Sequence, residues 1–329
     1  MCALLEGARP LFVFMPPQHD HSREWARRLS KDVPELEVVA PESFEEAARL
    51  LPQAVAAFGT IPRELLALAP NLKWLQAPAA APPAGYYYQE LVEHPVIVTN
   101  FRGIYNEHVA THAMAFVLAF ARGFHRYIPL QLKHRWQPDP EHSGVVYLPE
   151  ATALVIGVGG IGAEIARLCA AFGMRVVGVD TRRQDMPPGV TRLHPPDVLD
   201  SLLPTADFVI MTVPHTPETE GMIHIKRLQL MKPSAFLINV GRGKTVVLKD
   251  LIKALHEGII AGAGLDVFEE EPLPPDHPLW NTPNLLLTPH VAANGPYLNE
   301  RRYSIILENA RRFVSGRELI NVVDKSKWY

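Results

Sequence analysis

Along the first hundred residues, short apolar runs alternate with stretches whose apolar positions recur every three or four residues. The runs at 11–15, 37–40, 54–58, 73–76 and 96–99 predict strands, and the amphipathic stretches at 22–29, 43–50 and 63–68 predict helices, with Ser22 capping the first. Such alternation predicts a parallel sheet covered by helices. A second alternation places strands at 208–213, 235–240, 261–267 and 285–287, with helices at 225–230 and 248–257. The stretch 107–122 is apolar nearly all round, which predicts a helix buried between domains or between subunits. A final helix of mixed polarity, 297–315, is expected to return to the first unit. Proline pairs at Pro16-Pro17, Pro82-Pro83, Pro187-Pro188, Pro195-Pro196 and Pro274-Pro275 mark loops, and no repeat or low-complexity tract is visible.

Between the two alternations lies a segment whose glycines describe a surface for a pyrophosphate. Strand-like Leu154-Val155-Ile156 runs into Gly157-Val158-Gly159-Gly160-Ile161-Gly162, an amphipathic run to Phe172, a capping Gly173, and a second strand ending at Asp180. The first glycine permits a tight turn, the second lets backbone approach phosphate oxygens, and the third lets helix pack on strand. The helix aims its free N–H groups and positive dipole end at the anion. Asp180 is placed to accept from a ribose hydroxyl pair. A glycine triplet alone is a weak signal; strand, loop, helix, second strand and terminal acid in order are the context it requires.

Composition narrows the class. The 329 residues fit two domains, and 47% hydrophobic with 20% charged residues describe an ordinary globular protein. A net charge of -3 leaves no basic footprint for nucleic acid or an anionic membrane. Cys2 and Cys169 are far apart, against a disulfide framework or zinc site and in favour of a reduced setting. Glu6 interrupts the N-terminal apolar run, so no signal peptide is expected, and the apolar stretch 113–121 is too short to span a bilayer. The expectation is a soluble, cytoplasmic protein without metal.

Three further motifs fall at predicted strand ends, where open parallel sheets bind ligands: Asn239-Val240-Gly241-Arg242-Gly243, the acidic run Asp266 to Glu271, and Thr288-Pro289-His290. An arginine, a carboxylate and a histidine delivered there suit reduction of a keto acid. Arg242 would clamp the substrate carboxylate and polarise the neighbouring carbonyl. His290 would give a proton to the carbonyl oxygen, and Glu271 would hold the other imidazole nitrogen and favour the charged ring. Asp266 would lie near a nicotinamide carboxamide. Singly, each residue reads as a surface or turn group; their co-occurrence behind the glycine loop reverses that. Two near misses are set aside. Gly243-Lys244-Thr245 resembles the end of a P-loop, but Ile238 stands where the earlier glycine belongs. His108 and His112 are spaced like a zinc pair, but Val109 follows where glutamate is needed, so a packed or inter-helix histidine pair is expected.

Taken together, these motifs resemble the D-isomer-specific 2-hydroxyacid dehydrogenases over nearly the whole chain, most densely from Leu148 onward. The matches include Pro214-His215-Thr216-Pro217-Glu218-Thr219, Met231-Lys232-Pro233 and Pro278-Leu279-Trp280. The resemblance implies an α/β protein of two doubly wound parallel-sheet domains. A flavodoxin-like substrate domain, 1–101 with 297–329, would carry an inserted Rossmann NAD-binding domain, 102–296, through which the chain pairs as a homodimer. It implies Arg242, Glu271 and His290 as catalytic groups. It also implies cofactor contacts at Gly157, Gly159, Gly160, Ile161, Gly162, Asp180, Val213, Pro214, Val240, Gly241, Arg242, Asp266 and Ala292. Substrate contacts would come from Ala81, Arg242 and His290. Asp180 favours NAD, while Arg182 and Arg183 leave room for NADP. Two departures stand out. Where the family offers N–H groups to the substrate carboxylate, this chain has Ala79-Ala80-Ala81-Pro82-Pro83, and Pro82 has none to give; and His215 stands where leucine is common. The other expectation is a cofactor-sensing, corepressor-like binding protein of the same fold, favoured only by that altered turn.

Overall fold

The computed structural model describes residues 9–80, 82, 85–138 and 144–326. They divide into two compact units, one up to Ile104 and again from Pro296, the other Tyr105–Gly295. In the first, strands β1 (Leu11–Phe14), β2 (Glu37–Val39), β3 (Ala54–Phe58), β4 (Trp74–Gln76) and β5 (Ile97–Thr99) pair parallel in the order β2-β1-β3-β4-β5, the flavodoxin-like arrangement. Central β1 is buried at every position, which is why it reads as an unbroken apolar run rather than an alternating one. The first helix starts earlier than expected, at Asp20; Ser22 is not its cap but a residue of the first turn, whose Oγ accepts the His19 N–H at 2.8 Å. The helix Leu298–Val314 does belong to this unit, its Tyr303 hydroxyl donating to Asp32 at 2.6 Å.

The second unit holds β6 (Thr152–Ile156), β7 (Arg175–Val179), β8 (Arg192–His194), β9 (Phe208–Met211), β10 (Phe236–Asn239), β11 (Gly262–Leu265) and β12 (Leu285–Leu287). All pair parallel, in the order β12-β11-β10-β9-β6-β7-β8. The order reverses between β6 and β9, the switch point at whose carboxyl side such sheets bind ligands. Alternate side chains feed opposite faces. Ala153, Val155, Phe208, Ile210, Phe236 and Ile238 lie in one core, Leu154, Ile156, Val209, Met211 and Leu237 in the other.

The apolar helix Asn106–Ala121 is accounted for inside this unit, not by the interface expected of it. It lies against the helix Gly160–Ala171 and β10, with Phe120 stacked on Phe236 at 4.7 Å between ring centroids. A helix wedged between another helix and a sheet buries most of its circumference, so it needs no partner domain to explain its composition. Strand β8 escaped the sequence pattern because only Leu193 of its three residues is apolar. The helix Phe124–Leu132 also escaped, hidden by the proline at 129 inside it. Among the described residues no helix is long and apolar enough to cross a membrane, and no group of three His, Cys, Asp or Glu could hold a metal ion. The Cys169 thiol is buried, which pushes its pKa up to about 12 and leaves it inert as a nucleophile.

Candidate active site

The glycine loop leaves β6 through Gly157, whose φ of +89° lies in the left-handed region that favours glycine. A β-carbon on Gly162 would overlap the carbonyl of Gly157, so helix and loop approach as closely as backbone allows. Nothing lies within 4 Å of a β-carbon on Gly159, and no side chain caps the helix that starts at Gly160. The loop therefore presents an open face lined by free N–H groups, a fit for a dinucleotide pyrophosphate. Asn106 stands beside it, its amide nitrogen 2.6 Å from where a β-carbon on Gly160 would be. Gly173, with φ +83°, ends the helix as expected. Ile161 packs against the core below.

Asp180 follows β7, and its carboxylate is already engaged. One oxygen accepts the Val158 N–H at 2.7 Å; the other accepts those of Arg182 and Arg183 at 2.8 and 2.9 Å. Burial works to raise its pKa, but these three donors outweigh it and hold the carboxyl below its ordinary value. Since a carboxylate offers about four acceptor positions, little of it is left for a ribose diol in this arrangement. The Arg183 guanidinium donates to Val158 O at 2.8 Å and pairs with Asp185 at 2.9 Å.

Three strand ends build the rest. After β10, Asn239 accepts the Gly241 N–H at 3.0 Å and donates to the Arg242 carbonyl at 3.0 Å, while Thr245 Oγ donates to the same carbonyl at 2.6 Å. The Arg242 backbone is thus pinned from two sides. Its guanidinium donates to Gly241 O at 2.7 Å, and its surroundings lower its pKa by desolvation while the charge of Glu271 works the other way. A guanidinium stays charged regardless. After β11, Glu271 accepts the Phe268 N–H at 2.9 Å with one oxygen and meets His290 Nδ1 at 2.6 Å with the other. After β12 comes His290 itself, at φ +52°, a conformation that costs a non-glycine residue about 1–3 kcal/mol.

Asp266 is buried behind these groups. Its carboxylate accepts from Thr288 Oγ at 2.6 Å and from the N–H groups of Val291 and Ala292 at 2.9 Å each. These three donors all come from its own chain, in the segment that carries His290. The expected histidine pair also divides. His112 Nε2 lies 2.8 Å from Thr288 Oγ, joining the Asp266 cluster, while His108 sits against Gly295.

Arg242, Glu271 and His290 line one cavity of about 230 Å³, walled also by Gly243 and Phe268. His215, Lys244 and Glu269 line it too, and none of them was named as a site residue from sequence. The signal for His215 was its departure from leucine; Lys244 was visible only in the discarded P-loop. Val213 and Val240 lie elsewhere, Val213 beside Gly157 and Val240 in the core. Pro214 accepts the Thr219 hydroxyl at 2.7 Å, and Ala292 is buried against Asp266. Ala81 lies outside the described residues.

Residues 114–292 match the family model of the D-isomer specific 2-hydroxyacid dehydrogenase, NAD binding domain. The chain is 39% identical over 242 residues to a glyoxylate reductase of Korarchaeum cryptofilum, covering 72% of each protein. A D-isomer specific 2-hydroxyacid dehydrogenase from Xanthobacter autotrophicus Py2, solved with NADPH and MES, shares 30% identity at a TM-score of 0.83, covering 98% of this chain and all of that one. An NADPH-dependent glyoxylate/hydroxypyruvate reductase of Sinorhizobium meliloti shares 26% identity at a TM-score of 0.79, covering 97% of this chain and all of that one. With a matched segment longer than half the chain and the open glycine loop inside it, the protein belongs to the D-isomer specific 2-hydroxyacid dehydrogenases, a family of oxidoreductases.

Proposed function

We propose that the protein reduces a small 2-keto acid to its D-2-hydroxy acid, and oxidises it in reverse, with the chemistry centred on Arg242, Glu271 and His290. The observation that carries this reading is the 2.6 Å contact between His290 Nδ1 and Glu271 in a cavity shared with Arg242. Glu271 is itself fixed by the Phe268 N–H, so it can hold the ring in one orientation and leave Nε2 for substrate. His290 then gives its Nε2 proton to the keto oxygen as that oxygen gains charge, and takes it back in the oxidative direction. Arg242 binds the carboxylate and draws electron density from the adjacent carbonyl. A nicotinamide cofactor held at the glycine loop would supply the hydride in reduction and accept it in oxidation. The relatives named glyoxylate reductase support a small 2-keto acid as substrate.

For the cofactor we read NAD(H) first and NADP(H) second. The acid at 180 disfavours a 2′-phosphate beside it, and Arg183 is already committed to Asp185 and a carbonyl. The NADPH-bound relative supports use of either. A homodimer formed through the second unit, implied by the family, agrees with the exposed stripe Phe124, Ile128 and Leu132, one helical turn apart. Family membership and the free thiol of Cys169 fit a cytoplasmic setting.

The test is oxidation of NADH and NADPH against glyoxylate, hydroxypyruvate, pyruvate and bulkier 2-keto acids. Turnover at ordinary enzymatic rates separates this reading from a corepressor-like binding role, which the formed His290–Glu271 pair disfavours. Silence across the whole panel would abandon it.

A further inference from the structure

We infer that His215 and Lys244 form a second anion subsite in the reaction cavity, so that the preferred substrates are 2-keto acids with a distal carboxylate. The inference rests on the proposed activity and specifies its substrate class. Once Arg242 takes the first carboxylate and His290 the keto oxygen, two cationic or proton-donating side chains on the same wall are left without a task.

Both residues are held ready. His215 leaves β9 on a turn closed by Thr219, whose Oγ accepts the Thr216 N–H at 2.8 Å and donates to Pro214 O at 2.7 Å. The imidazole Nε2 lies 3.3 Å from a Glu220 oxygen, a partner that orients the ring. Lys244 sits two residues beyond Arg242, in the 3-10 turn Gly243–Thr245 that the Asn239 and Thr245 side chains brace. Among the described residues its ammonium has no acceptor within bonding distance. The remaining acid of the cavity lining, Glu269, has one oxygen engaged by the Leu248 N–H at 2.8 Å. An incoming carboxylate therefore meets one unpartnered ammonium and one orientable imidazole, and charge-assisted bonds to such groups are the stronger kind. A leucine at 215 would supply packing there and no bond.

The experiment compares oxaloacetate with 2-keto-4-methylpentanoate, which has the same heavy-atom shape but ends in methyl groups. The readout is the ratio of kcat/KM for the two acids, measured with NADH and NADPH in the wild type, His215→Leu and Lys244→Met. Because both substrates see the same enzyme preparation, incomplete folding of a variant cancels from the ratio. Expected are a wild-type ratio of about ten or more in favour of the dicarboxylate, and a fall of about tenfold in each variant. A wild-type ratio at or below one, or a ratio that survives both substitutions, overturns the subsite while the proposed activity stands. Absence of turnover with every keto acid, glyoxylate included, instead fails the activity and takes the subsite with it.

Discussion

A β-carbon on Gly243 would overlap the backbone carbonyl of Phe268, so the loops carrying Arg242 and Glu271 meet with no room for a side chain between them. The contact sets the spacing of two groups that the chain order separates by 29 positions. Gly243→Ala should push the loops apart by a fraction of an ångström or more and lower kcat/KM by about 10²-fold, the scale of small misplacements in reacting geometry. Steady-state kinetics with glyoxylate, beside a thermal melt, would check it. An alanine variant with wild-type kinetics would show that the loops are set by something else.

The His290–Glu271 contact gives the second expectation. His290→Ala should cost about 10²–10⁴ in kcat, the usual contribution of a positioned proton donor. Glu271→Gln keeps the shape but removes the charge behind the ring, so its loss should fall mainly in kcat with KM less affected. Wild-type turnover by His290→Ala would remove the proposed proton path.

Asp266 makes a prediction without touching the cavity. Its carboxylate accepts three donors that fix residues 288–292, and so holds His290 in its left-handed conformation. In Asp266→Asn, the new amide N–H₂ would face one of those donors, leaving a buried group unsatisfied at about 1–3 kcal/mol. We expect a lower melting temperature together with a kcat loss of about tenfold or more, since the strained turn at His290 can then relax. A stability loss with unchanged kcat would confine Asp266 to the fold.

Asp180 ties the cofactor loop to pH. Burial pulls its pKa up, but the N–H groups of Arg182, Arg183 and Val158 prevail, so it is lower folded than unfolded. A carboxyl depressed in this way stabilises the fold above its unfolded pKa, and that contribution is lost as pH falls through the folded value. The melting temperature of the wild type should therefore exceed that of Asp180→Asn near neutrality, and the gap should close below about pH 4. A gap constant from pH 7 to 3 would refute the assignment. The same variant should lower the KM for NADPH relative to that for NADH, because no carboxylate then opposes the 2′-phosphate.

The sequence by itself determined the two parallel sheets, because strands buried on both faces are written as unbroken apolar runs such as 11–14 and 153–156. It determined the phosphate loop as well, since the turn, close approach and helix start all fall within six consecutive residues and depend on local backbone geometry. The candidate trio was legible as three motifs at strand ends, but not as a cavity: the pairing of β9, β10, β11 and β12 in parallel register is what carries residues 215, 242, 271 and 290 to one side of the sheet. Tertiary structure alone decided what each carboxylate faces. Asp180 and Asp266 are spent on backbone N–H groups that no spacing rule reveals, whereas Glu271 is left to meet an imidazole. It also decided that His215 and Lys244 share a wall with Arg242, because a side chain's neighbours across a sheet edge are fixed by long-range packing, not by the residues beside it in the chain.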